Sequence, residues 1–99
     1  KDFSFQHIPN YVSKHSYMMF FAFAENQQIR NKYLNSLRTN DIDARMPWLP
    51  LSDQPVNSKL NMNNCPNSNK IYNNSLTLPI YNSMTDKEMK FVLNACQNV

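Results

Sequence analysis

No glycine occurs anywhere in the 99 residues of this chain, while asparagine occurs sixteen times. Glycine takes left-handed backbone conformations without a steric penalty, so its absence restricts how turns and helix ends can be built. Asparagine tolerates that region better than most residues carrying a Cβ, and is expected to supply most of the left-handed positions. The same absence excludes a class of chemistry. Phosphate-cradling loops of the P-loop or dinucleotide type need glycine where the backbone closely approaches the ligand, and no such loop can be written here.

Leu, Ile, Val and Phe make up 23 of the 99 residues and the formal net charge is only +3, which predicts one folded domain with a modest core. Lys32, Lys59, Lys70, Lys87 and Lys90 are scattered over different expected elements and form no basic run, so they read as solvated charges and no nucleic-acid partner is expected. Cys65 and Cys96 lie far apart without a CxxC pattern, which supports neither a zinc site nor a disulfide framework. Cys96 reads as a small buried thiol in a reducing compartment. The longest apolar run, YMMFFAFA at 17–24, is too short to span a bilayer, and no charged-then-apolar leader precedes it. No membrane partner is expected, and the localisation this implies is cytoplasmic.

Residues 1–14 lack a clear period and read as an extended lead-in. HSYMMFFAFA, from residue 15, is aromatic-rich and apolar on both faces, which predicts a central strand near 16–24. The period then changes. Ile29, Tyr33, Leu34 and Leu37 fall on one side of a helix over 26–38, with Arg30 read as a surface charge, Arg38 in the last turn and Asn40 placed to end it in a left-handed conformation. DIDAR at 41–45 is a short candidate strand. A loop runs from Met46 to about Asn64, its second half, from Val56, expected to be the most mobile part of the chain. PNSNKIYNNS places Pro66 at a first helical position, and LTLPIY at 76–81 is a strand with Pro79 inside it, hence an edge strand or one that ends there. The last element, 85–97, carries a capping box in Thr85 and Glu88, a staple in Met84 and Met89, and the stripe Met89, Val92, Leu93, Cys96, which should pack on the first strand. The order β-α-β-loop-α-β-α predicts an α+β fold, a small, largely antiparallel sheet with helices packed on one face.

Catalytic constellations are scarce. His7 and His15 have no serine or cysteine nucleophile that the sequence pairs with them, and both read as strand-end or surface residues. Asp41 and Asp43, two apart, would share one face of a strand as a carboxylate pair; a helix-stop residue followed by a solvated one is the plainer reading. The stretch ARMPWLPLSDQP at 44–55 is different, being too apolar for an ordinary loop and too rich in proline for a helix or an interior strand. Arg45, Trp48, Ser52, Asp53 and Gln54 give it an arginine fork, a flat ring and polar heads on a stiffened backbone, which suits a carboxylate, phosphate or sugar ligand. The alternative is that Trp48 plugs the core and the prolines only stiffen a crossover.

IDARMPWLPLSDQP, followed by CPNSNKIYNNSLTLPIYNSMTDKEMKFVLNA, resembles the C-terminal small domain of the DegT/DnrJ/StrS-type aminotransferases, pyridoxal-phosphate (PLP) enzymes that aminate nucleotide-linked keto-sugars. HSYMMF is similar to the family's first small-domain strand, RMPWLPLSDQP to its substrate-side loop, and SLTLPIYNSMTDKEMKFV to its closing signature. The likeness runs from about residue 9 to 98. It implies that Trp48, Pro50, Leu51 and Gln54 match a loop facing the sugar side of the active site and that Arg45 matches an arginine found before it. Ser52 stands where the family usually has histidine, a departure at the point of sugar contact.

The resemblance also implies what is elsewhere. The Schiff-base lysine, the phosphate-binding residues and the partner of the cofactor's pyridine nitrogen belong to the family's large N-terminal domain, and no lysine here lies in such a context. The chain is therefore expected to contribute substrate-binding residues Arg45, Trp48, Ser52 and Gln54, but no catalytic or metal-binding ones. It should depend on a large PLP-binding domain, meet a nucleotide-sugar substrate within a homodimeric enzyme, and be inactive alone. The competing expectation is a stand-alone, non-catalytic interaction module that uses the exposed apolar loop.

Overall fold

The computed structural model describes residues 3–60 and 65–99. In chain order the elements are β1 (Phe3–Phe5), β2 (Phe20–Ala24), α1 (Gln27–Thr39), α2 (Pro66–Asn74), β3 (Ser75–Leu78) and α3 (Asp86–Gln97), with two short 3-10 turns, Leu51–Asp53 and Pro55–Asn57, between α1 and α2. The fold is α+β, with three helices and a three-stranded sheet ordered β1-β2-β3, antiparallel throughout. β2 is central, as its two-sided apolar pattern requires.

Register divides the sheet into two faces. Phe3 pairs with Ala24, Phe5 with Ala22, Ala22 with Leu76 and Phe20 with Leu78, so these side chains share one face. Tyr33 of α1 closes on that face, its ring centroid 4.4 Å from that of Phe3 in an edge-on contact. The alanines of β2 leave room for the helix to approach, and Ala22, Tyr33, Leu34, Leu37, Ile42, Ala44, Leu76 and Val92 form the core. Leu37 and Leu76 are fully buried, each contributing roughly 1.5–3 kcal/mol by leaving water. Phe21, Phe23, Ser4 and Thr77 fall on the opposite face by the same register.

Several local expectations change. β1 was not anticipated from the lead-in, although the apolar-polar-apolar alternation of Phe3, Ser4 and Phe5 is a strand pattern too short to stand alone. β2 begins at Phe20 rather than near residue 16 because Tyr17 adopts φ 46, a left-handed value that interrupts an extended run. His15 Nδ1 accepts the Tyr17 amide at 3.0 Å, and the His15 and Tyr17 rings lie 4.2 Å apart, which holds this bulky residue there. Asp41–Arg45 is no strand; its pairing is a single bridge between Arg45 and Thr77.

α1 ends one residue later than expected and by a different device. Asn40 has φ −94, and the left-handed residue is Asp41 at φ 57. The Ile42 amide donates to Leu37 O at 3.0 Å and the Asp41 amide to Arg38 O at 3.1 Å, a Schellman ending in which Ile42 and Leu37 also meet in the core. Arg38 Nε reaches across to Ala44 O at 3.0 Å and ties the segment leaving the helix back to it. Among the described residues only Tyr17 and Asp41 have positive φ, so asparagine takes none of the left-handed positions assigned to it. Arg30 is not a surface charge: it is 1% exposed, with Nε and Nη1 buried and unpartnered, and burial lowers its pKa against the opposing influence of Tyr72.

α2 starts at Pro66, and β3 stops before Pro79, as the two prolines predict. α3 carries the capping box: the Glu88 amide donates to Thr85 Oγ1 at 3.3 Å and the Thr85 amide to Glu88 Oε2 at 2.8 Å. Of the expected stripe, Val92 is buried and Cys96 half-buried, but Met89 and Leu93 are about half exposed and α3 packs on α1 rather than on the first strand. The line that packs against the core is instead Val92, buried, with Ala95, Cys96 and Val99, partly buried. Burial raises the pKa of the Cys96 thiol. The stretch expected to be the most mobile falls partly on residues 61–64, which lie outside the described residues; its described part begins within the second 3-10 turn.

Candidate functional site

The proline-rich segment leaves the sheet edge immediately after Arg45. Arg45 and Thr77 exchange both backbone hydrogen bonds, at 3.1 and 2.8 Å, and Thr77 Oγ1 donates to the same Arg45 carbonyl at 3.3 Å. That clamp fixes where the loop begins. Pro47 is buried, Trp48 is 73% exposed, and the chain then folds on itself through the two 3-10 turns. Gln54 Nε2 donates to Leu49 O at 3.3 Å and Asn57 Nδ2 to Leu51 O at 2.7 Å, so side-chain amides brace a loop whose prolines cannot donate.

Trp48 forms one wall of an open cavity of about 260 Å³, with Pro47 and Pro50 beside it, Met18, Met19 and Phe21 from the β2 segment, and Ser68, Ile71 and Tyr72 from α2. The lining is apolar and aromatic with two hydroxyls. A flat ligand ring could stack there while Ser68 or Tyr72 donates to an oxygen. Trp48 does not plug the core, because it is largely uncovered.

The other expected site residues are not gathered around this cavity. Ser52 Oγ donates to Asp53 Oδ1 at 3.0 Å, and Gln54 is spent on bracing the loop. Arg45 is exposed, but its fork is occupied: Nε and Nη2 donate to Asp43 Oδ1 and Oδ2 at 2.7 and 2.8 Å. Hydrogen bonding to Arg45 is the main cause that lowers the Asp43 pKa, and the same bond is the main cause that raises that of Arg45. Asp43 was considered beside Asp41, yet its partner is the residue two positions onward. Spacing held the signal, since 43 and 45 share a side of an extended segment as 41 and 43 would. Met18, Met19 and Tyr72 were also missed as cavity walls, because α2 and the β2 segment meet only in three dimensions.

PLP needs a lysine in a protected cleft beside a phosphate cradle. The six described lysines are all exposed and no glycine exists to build such a cradle, so these residues do not fit the cofactor. Among the described residues there is no cluster of three or more potential metal ligands, and no helix is long and apolar enough to cross a membrane.

The fold is a small α+β arrangement with an exposed, partly aromatic surface beside one sheet edge. Residues 1–97 match the model of the DegT/DnrJ/EryC1/StrS aminotransferase family, and the chain belongs to that family. Three solved structures of Spr1654 from Streptococcus pneumoniae, a protein described as a proposed sugar aminotransferase, share the fold. The form with pyridoxamine phosphate (PMP) superposes with a TM-score of 0.71, at 19% identity over 81% of this chain and 21% of that one. The apo and PLP forms each give 0.70 at the same identity and coverage. This chain thus spans about a fifth of the length of those proteins. No curated protein matches its sequence.

Proposed function

We propose that this chain is the small C-terminal domain of a PLP-dependent aminotransferase acting on nucleotide-linked keto-sugars, and that its proline-rich loop contributes to the sugar side of the active site. The observation that carries the reading is the distribution of apolar surface. Among the described residues, nine hydrophobic side chains are buried, three of them alanine, while fifteen large ones are exposed, including Met18, Trp48, Leu49, Leu51 and Ile71 around the loop and the cavity. A self-sufficient domain seldom leaves so much uncovered, and a larger neighbour that covers it accounts for the pattern.

On this reading the large domain holds PLP, and cofactor chemistry is carried entirely outside the described residues. The domain's own contribution is to position substrate: Trp48 as a stacking surface, Arg45 as a donor to the sugar side, Gln54 as the brace that keeps the loop in place, and Ser52 as a small hydroxyl at the point of sugar contact. A homodimeric, cytoplasmic enzyme completes the proposal. Trp48 is the only tryptophan of this chain, which makes the test direct. With a large domain lacking tryptophan, assembly should shift the Trp48 emission to shorter wavelength and protect it from iodide, and the assembled protein should aminate a nucleoside-diphosphate keto-sugar. An unchanged spectrum and no amination would leave the non-catalytic interaction module as the better account.

A further inference from the structure

An arginine expected to grip an anion is held instead by a carboxylate of its own chain, and the geometry of that contact says what remains available. The Arg45 backbone is fixed to Thr77 in both directions, and Thr77 is in register with Phe21, so Arg45, Thr77 and Phe21 form a row across the sheet on the face away from the core. Phe21 is also a wall of the Trp48 cavity. Asp43 takes the Nε–Nη2 edge of the guanidinium through both carboxylate oxygens. The Nη1–Nη2 edge is left, with the orientation set from both ends of the side chain.

We propose that Asp43 is a positioning and specificity residue: it holds the Arg45 fork in one orientation at the sheet edge, in the same cross-strand row as the cavity wall Phe21, and cancels its net charge, so that Arg45 serves an uncharged pair of sugar oxygens, the keto oxygen or a hydroxyl and its neighbour, and not a phosphate. A lone arginine would favour the diphosphate of a nucleotide-sugar, which carries the dominant charge. With a carboxylate at 2.7 Å, an approaching phosphate meets attraction and repulsion from nearly the same place, while neutral oxygens still find N–H donors. The pair therefore reads the sugar end of the substrate. The inference rests on the reading of the chain as the small domain of a sugar aminotransferase.

The test uses the complete enzyme, with a nucleoside-diphosphate keto-deoxyhexose as amino acceptor and the free nucleoside diphosphate as competing inhibitor. Asp43→Asn should raise the KM for the keto-sugar by roughly tenfold or more, the loss expected for a misplaced charged donor. Inhibition by the nucleoside diphosphate should stay the same or tighten, because the arginine charge is unmasked. Asp43→Glu should recover part of the sugar KM, and the thermal midpoint of both variants should hold, because the pair is mostly solvent-exposed. An unchanged sugar KM in an active enzyme, or parallel weakening of keto-sugar and nucleoside diphosphate, overturns the role of Asp43 alone. A wild-type enzyme inactive toward keto-sugars overturns the aminotransferase reading and this inference with it.

Discussion

Replacing Asp41 with glycine should stabilise the chain, although it removes a polar side chain and introduces the most flexible residue. Asp41 sits at φ 57 where α1 ends, with its amide donating to Arg38 O and the next amide to Leu37 O. A left-handed conformation costs an L-residue about 1–2 kcal/mol, at the low end for aspartate, and glycine avoids that cost. A carboxylate beside the last helical carbonyls adds roughly 0.3–1 kcal/mol of unfavourable dipole interaction before screening by salt. Against these stands about 0.4–1 kcal/mol of extra entropy that glycine gives the unfolded chain. The balance is a gain of about 0.5–1 kcal/mol, or a rise in thermal midpoint of roughly 2–6 °C for a domain near this size. Asp41→Asn separates the terms: it keeps a residue tolerant of the left-handed region and removes only the charge, so it should gain less, and its gain should fade in high salt. Urea denaturation of the three proteins followed by circular dichroism measures the series. A glycine variant less stable than wild type, with an unchanged denaturant slope, would refute the assignment of strain to this position.

Three further outcomes follow from the fold. Thr85→Ala should cost about 1 kcal/mol by removing the acceptor for the Glu88 amide. Hydrogen bonds from Thr85 depress the Glu88 pKa, so the stability linked to Glu88 should be fully present above its ordinary carboxylate range and disappear as pH falls through the lower, folded-state value; a wild-type advantage over Glu88→Gln that grew on acidification would contradict this sign. Leu37→Ala should cost about 2–5 kcal/mol while Leu93→Ala stays within roughly 0.5 kcal/mol, and equal costs in urea melts would restore the packing stripe first read from the sequence.

The legible parts of this fold are those whose signals are local. The capping box of α3, the proline that opens α2 and the proline that follows β3 each act within a few residues, and each appears where its spacing places it. Long-range facts were not legible. Leu93 occupies a position on α3 that periodicity assigns to the core, yet it is half exposed because the helix rests on α1 through Val92, Ala95 and Cys96 and reaches no strand. Arg30 looks like any polar residue of an amphipathic helix, but α1 packs so that it is buried. The glycine-free composition raised the question of left-handed positions, and among the described residues the answer is not asparagine, since Tyr17 is held by a histidine nitrogen and Asp41 by the Schellman hydrogen bonds, contacts that composition cannot register.

The candidate site shows the same division more sharply. Arg45, Trp48, Ser52 and Gln54 lie within ten residues of sequence, and sequence proximity suggested one cluster. In three dimensions the loop distributes them: Trp48 faces a cavity whose other walls come from β2 and α2, Gln54 turns inward to brace the loop, Ser52 bonds its neighbour, and Arg45 stays behind on the sheet edge with Asp43. Proline accounts for the separation. Pro47, Pro50 and Pro55 fix φ at three points and reduce the freedom of the loop to curl its polar heads around one ligand. Among the described residues the cavity beside Trp48 offers apolar walls, two hydroxyls and no charged side chain in its lining. On the proposed reading, a charged reactive group at that position would come from the large domain, and the apolar composition of this wall is compatible with that division of labour.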